Sequence, residues 1–410
     1  MLLWLLMIQG ILPLNSERLA GTIWHAHEMV WGFGTAAIAG FLLTAVPEFT
    51  SSAEFAPRET LLLVAFWLLA RLFGMAGIAG LSGSVWVVAA TVANLALIGW
   101  LAWRVGTRVW MQTGRRHVAF SLALAALTLI EAGFWVELLN GANPLRWINA
   151  LVGLMMIMIV LAQSRISMRF LRGLLQPLGV YEEDYRATPP RRRLVILCII
   201  LVTIAEWLRI NPLTLAWLAF AAGAAILAMM ADWHFGRALL HRWVWPMYAV
   251  YACMAAGYIL LGCAWMGAGW SASGARHVLT VGCMGLAVLM VMNIAGRVHA
   301  GRQLDDRSWR MWATVLLLAA VSARVLASSV HAPGGVQLWW WVAGLGWCAA
   351  WVLFLAHAWG HLAGPRLDGG KGCEEIPEAT LMRSPPPRAD FQAVPAGVEG
   401  SLPHSAQPPA

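Results

Sequence analysis

The stretch Trp24–Pro47, WHAHEMVWGFGTAAIAGFLLTAVP, places His25, His27 and Glu28 at the head of an apolar run long enough to cross a bilayer. Ionisable groups at the lip of a spanning helix are costly unless they are paired or bound, so they mark a candidate functional site. Imidazoles held in a low-dielectric bundle suit haem iron or copper. Met29, one turn below His25, adds a thioether, and Glu28 can orient an imidazole N–H or pair with an arginine.

On a regular helix residues advance about 100° each, so His25 and His27 lie about 200° apart and face opposite sides. Below His25 fall Gly32, Ala36, Ala39 and Gly40; below His27 fall Trp31, Gly34, Ile38 and Phe41. The small residues under His25 admit two readings. One is close helix packing through Gly32, Ala36 and Gly40. The other is a slot for a flat macrocycle hung from His25.

The second chemical stretch is Arg276–Arg302, RHVLTVGCMGLAVLMVMNIAGRVHAGR. His277 opens it and His299 closes it, about 33 Å apart at 1.5 Å per residue, so they cannot share one metal. His277 is expected to join His25 and His27 as metal ligands in one cluster. His299 and Arg302 are expected to form a site at the other end, where an arginine fork suits haem propionates. His357 and His361, spaced i, i+4, could chelate, or be ordinary solvated histidines.

These residues need a scaffold of helices. Of 410 residues, 60% are hydrophobic and 12% charged, and mean hydropathy is +0.68; soluble domains carry about 25% charged residues. The expected fold is an all-α, polytopic integral membrane bundle of about twelve transmembrane helices. The windows are Leu2–Leu14 (short), His25–Val46, Glu59–Ala79, Val85–Trp103, Val118–Leu139, Leu145–Ala162, Leu194–Arg209, Leu213–Ala231, Val244–Met266, His277–Val298, Met311–Val330 and Leu338–His357. Residues 1–360 form the bundle. Residues 361–410 form a Pro-rich, disordered cytoplasmic tail, nine of the nineteen prolines lying at or beyond Pro365.

Arginines cluster in alternate loops (Arg104–Arg116, Arg165–Arg193, Arg237–Arg242, Arg297–Arg310), which expects both termini in the cytoplasm and His25, His27 and His277 on the outer side. The net charge of +8 follows from this distribution and points to no nucleic acid. The loop Arg165–Arg193, with Glu182, Glu183 and Asp184, reads as solvated surface. Six cysteines form no CxxC, and no cleavable signal peptide is evident. Nucleophile elbows, P-loops and dinucleotide fingerprints are missing from any strand–helix context. Arg71, Glu131, Glu137, Glu206 and Arg324 fall inside apolar runs. Glu131 reads either as part of a proton relay or as a buried partner of Arg71 or Arg324.

Trp24–Met29 followed by Gly40–Pro47, together with His277–Gly285, His299 and Gly301–Arg302, resembles the NnrS-type bacterial membrane proteins. The resemblance implies haem b and copper in a multi-pass protein of the bacterial inner membrane. It also implies a role in nitric oxide metabolism or resistance to nitrosative stress, with nitric oxide as the small ligand. Three departures stand out. Only 24 residues precede His25, suggesting a shortened start. The family's Gly-Gly-Arg-x-Ile-Pro segment is here Ala162–Ser167. Met247–Tyr251 stands where the family tends to place a histidine, so a reduced cofactor complement is expected. The competing readings are a transporter of a metal or small solute, using Glu131, Arg71 and Arg324, and a cofactor-free scaffold.

Overall fold

A computed structural model describes residues 1–12, 21–79, 84–112, 117–175, 188–234, 236–329 and 332–366, without side chains for 165–175. Of the expected tail, residues 361–366 are described and α14 carries into it as far as Leu362; the rest of the tail and the acidic cluster Glu182–Asp184 lie outside the described residues. The helices are α1 (Leu2–Ile8), α2 (Gly21–His27), α3 (Phe33–Thr50), α4 (Pro57–Ile78), α5 (Val85–Met111), α6 (Val118–Leu139), α7 (Leu145–Leu175), α8 (Pro189–Trp207), α9 (Pro212–Met230), α10 (Trp245–Trp265), α11 (Ala272–His277), α12 (Gly285–His299), α13 (Trp309–Leu326) and α14 (Val336–Leu362). No strand occurs among the described residues, only an isolated bridge between Trp270 and Ser329.

Ten helices among the described residues are long and apolar enough to cross a membrane. The expected first window contracts to α1, seven residues and too short to span. The expected seventh appears as α8, whose first turns carry Arg191, Arg192 and Arg193. The loop expected from Arg165 begins later, because α7 continues to Leu175.

Local chemistry sets several helix starts. Proline stands in the first turn of α4, α8, α9 and α10, where its missing N–H is no loss. Glu59 accepts the Ala56 N–H at 2.8 Å, and Asn211 accepts the Thr214 N–H at 2.9 Å, each satisfying an otherwise orphaned donor. Outward faces are apolar. On α4, Leu61, Val64, Leu68, Leu72 and Met75 are all exposed at helical spacing, a stripe that only lipid covers without penalty.

Helices α4 to α10 pack side by side in chain order, and α13 lies along α14. The two signature stretches form the middle. Gly21–Thr50 and Ala272–His299 each run as one span, and the second has 67% of its membrane window buried, the highest of the ten. The first packs on α1, α4, α5 and α7; the second on α7, α10, α13 and α14.

Both spans break their helical period at the same point. Glu28–Gly32 is a π turn joining α2 to α3, and Val278–Met284 is a π turn joining α11 to α12. Each begins immediately after a signature histidine, His27 in one and His277 in the other. A π turn inserts one extra residue, so everything below it rotates by roughly 100°. Such turns concentrate at functional sites.

Candidate functional site

The first π turn exposes carbonyls that a regular helix would bond internally. Side chains take them: Trp67 Nε1 donates to Gly32 O at 2.7 Å, and Thr35 Oγ1 to Trp31 O at 2.7 Å. The turn also aims His27 and Glu28 into the bundle, where they join a buried polar chain.

His27 is 2% exposed. Its Nε2 lies 3.1 Å from Glu131 Oε1 and its Nδ1 3.3 Å from Glu28 Oε1. Trp135 Nε1 donates to the same Glu131 oxygen at 2.6 Å. The second oxygen of Glu28 pairs with Arg71 Nε at 2.6 Å. Arg71 donates onward to Asn94 Oδ1 at 2.9 Å, which also accepts from Trp31 Nε1 at 3.1 Å. Phe134 stacks on the imidazole at 4.6 Å. Two carboxylates and one guanidinium leave one unbalanced negative charge, which a second proton on His27 would cancel; only then can both ring nitrogens donate.

This chain corrects several expectations. Glu131 pairs with His27, not with Arg71 or Arg324. Glu28 both orients a histidine and holds an arginine. Gly32 makes room for Arg71: a Cβ there would lie 2.8 Å from its Nη1. Asn94 and Trp135 were missed, because nothing in their sequence context separates them from ordinary membrane residues.

His25 and His277 lie at the same end of the bundle, His25 within electrostatic range of His277 and Arg324 and His277 within range of Arg324. Trp4 of α1 stacks on His25, ring centroids 4.7 Å apart and nearly parallel. His277 Nδ1 lies 2.7 Å from Ser273 O. A carbonyl only accepts, so the ring donates there and its Nε2 presents a lone pair. Arg324 donates to Ser273 Oγ at 3.2 Å, fixing the same turn. The structure thus leaves His25 and His277 at one end of the bundle and sends His27 to the carboxylates. Met29 is half-buried against the core. Among the described residues no three His, Cys, Asp or Glu side chains are grouped as a metal would need.

Below the first π turn the slot has moved. A cavity of about 410 Å³ is lined on α3 by Gly34, Ala36, Ala37, Ile38, Gly40, Phe41 and Thr44. The extra residue turns the His25 face from Gly32 and Ala39 towards Ala37, Gly40, Phe41 and Thr44. The opposite wall is α12, with Met155 of α7 and Met247 of α10 between. At the far end stand His299, His361 and Arg366. Arg302 follows the left-handed Gly301 (φ 65°); it is outside this lining, its Nε buried and unpartnered among the described residues. His357 stacks on Trp309 at 4.8 Å, and its Nδ1 lies 2.9 Å from Leu353 O.

The loop after α12 is fixed by Asp305, 5% exposed. It accepts from Arg307 Nη2 at 2.6 Å and Trp309 Nε1 at 2.9 Å. Burial raises its pKa, but the bonds from Arg307 and Trp309 and the charge of Arg297 outweigh it, holding the carboxyl well below the usual range.

The fold and site define a multi-pass helical membrane protein built around two histidine-headed, π-interrupted spans. A family model described as NnrS protein matches residues 1–366, and the chain belongs to that family. Membership supports a membrane protein related to the nitric oxide response. No curated protein and no solved structure matches the chain.

Proposed function

We propose that this protein binds haem or copper at the His25–His277 end and acts in nitric oxide metabolism or resistance to nitrosative stress at the bacterial inner membrane. The observation that carries the reading is the pair of π turns, each set directly after a signature histidine in a span buried at the bundle centre. Nothing in lipid-facing packing calls for them.

The donor set fits such a group. His277 offers Nε2 because Ser273 holds Nδ1, the arrangement that fixes tautomer and ring orientation in metal-binding histidines. His25 makes no hydrogen bond among the described residues and is held flat against Trp4. Bound there, the metal would supply a coordination position for a diatomic ligand small enough to arrive through lipid. The chain's own contribution is to orient the imidazoles, keep Arg324 beside them and exclude bulk water with Trp4. His27 with Glu28 and Glu131 braces the turn beneath.

The test is purification in detergent, metal analysis and visible spectra, oxidised and reduced. Wild type is expected to carry iron or copper, and His25→Ala and His277→Ala to lose it or change its spectrum. A colourless, metal-free protein from haem- and copper-replete cells would refute the reading.

A further inference from the structure

The cavity between α3 and α12 asks for a ligand of its own. It is lined from Gly34 to Thr44 on one side and from Met284 to Ala300 on the other, about 15 Å and about 24 Å of helix. It is therefore elongated, and its walls are methionine and aliphatic with Phe41 and Phe120. Ala36 and Gly40 are exposed on α3, so the cavity opens sideways into the bilayer. A Cβ added at Gly40 would meet nothing within 4 Å. The polar lining residues are Thr44 and Gln163, whose hydroxyl and amide N–H already donate to backbone carbonyls, and, at one end, His299, His361 and Arg366. This is the outline of an amphiphile that enters from lipid.

The chemistry of that end narrows the class. His361 is 5% exposed, and its Nε2 is buried with no hydrogen-bond partner among the described residues. Its ring is bonded to the His357 backbone carbonyl one turn earlier; a carbonyl accepts, so Nδ1 carries the hydrogen and Nε2 presents a lone pair. An acceptor in that position asks for an O–H. A fatty-acid carboxylate or a quinone carbonyl would set acceptor against acceptor, and a bare hydrocarbon would leave the nitrogen unsatisfied.

We propose that the cavity binds a prenyl quinol, with a hydroquinone O–H donating to His361 Nε2 and the tail running along the methionine-lined wall towards the bilayer. Nothing in this depends on the metal site.

The test uses the full chain in detergent and decylubiquinol kept reduced by excess dithionite, binding followed by tryptophan quenching. Saturable binding is expected. Oxidised decylubiquinone and His361→Leu should each weaken it about tenfold, the loss of one buried hydrogen bond. Gly40→Leu, which fills the cavity and improves helix propensity, should abolish it while leaving the elution profile of the protein unchanged. Absence of saturable binding, or binding indifferent to Gly40→Leu, overturns the proposal. So does quinone binding as tightly as quinol, or a native visible absorption band lost in His361→Leu, which would make this imidazole a metal ligand instead. If His361→Leu fails to fold, Gly40→Leu and the quinol–quinone comparison decide.

Discussion

Replacing Glu131 by leucine should be among the most damaging single changes outside the proposed metal site. Glu131 is 1% exposed and accepts from two buried donors, His27 Nε2 and Trp135 Nε1. Leucine keeps most of the volume, so the cost is electrostatic and not a cavity. Each buried donor left unpaired costs about 1–3 kcal/mol, and breaking a buried ionic pair by removing one partner costs about 3–5 kcal/mol. The two estimates describe the same loss, so about 3–5 kcal/mol is expected in total. Glu131→Gln keeps an acceptor for Trp135 and should cost about 1–2 kcal/mol. The double variant with His27→Phe should lose at least about 1 kcal/mol less than the sum of the singles, because its members touch. SDS titration in mixed micelles gives the free energy, with labelling of the buried Cys253 and Cys283 reporting unfolding. Glu131→Leu within about 0.5 kcal/mol of wild type, or strict additivity, would refute the reasoning.

Further outcomes follow from the same geometry. Gly32→Ala should destabilise by about 1–3 kcal/mol, since the new Cβ meets Arg71 Nη1 at 2.8 Å and loosens the Glu28 pair; the same SDS titration reads it. Trp4→Ala should make His25 several-fold more reactive to diethyl pyrocarbonate, as the stacked ring at 4.7 Å contributes about 1 kcal/mol. Asp305→Asn should destabilise the protein at neutral pH. Because the folded carboxyl is depressed, the stability it contributes is present above about pH 4 and lost as pH falls towards the folded value. The gap between variant and wild type should therefore close in acid, measured by thermal unfolding at a series of pH values.

The helices were legible because apolar length alone marks a span: Val118–Leu139 coincides with α6, and most other windows shift by a few residues. The exceptions have physical reasons. Leu2–Leu14 contracts to α1 because the helix ends at Ile8 and Gly10 takes the left-handed conformation (φ 71°) that terminates helices. The window from Leu145 overruns because basic and polar residues after Ala162 end a hydropathy run without ending a helix. At the site, His25 and His277 each read as an ionisable group at the same end of an apolar run, and the structure sets both within electrostatic range of Arg324. Of the residues read under His25, Ala36 and Gly40 line the cavity while Gly32 and Ala39 do not, since a helical wheel assumes a constant period and a π turn leaves no compositional trace. The link between His27 and Glu131, 104 residues apart, depends on which helices become neighbours, and local pattern carries no record of that. His361 was visible as a histidine, but the burial of its Nε2, unpartnered among the described residues, emerges only from the packing of α14.

The central claim is that two histidines from separate spans hold one metal group. Iron and copper analysis with visible spectra on wild type, His277→Ala and the distant His299→Ala tests it most directly. The account predicts a metal signal in wild type that His277→Ala loses and His299→Ala keeps. A signal untouched by His277→Ala but lost in His299→Ala would place the metal at the opposite end of the bundle and contradict it.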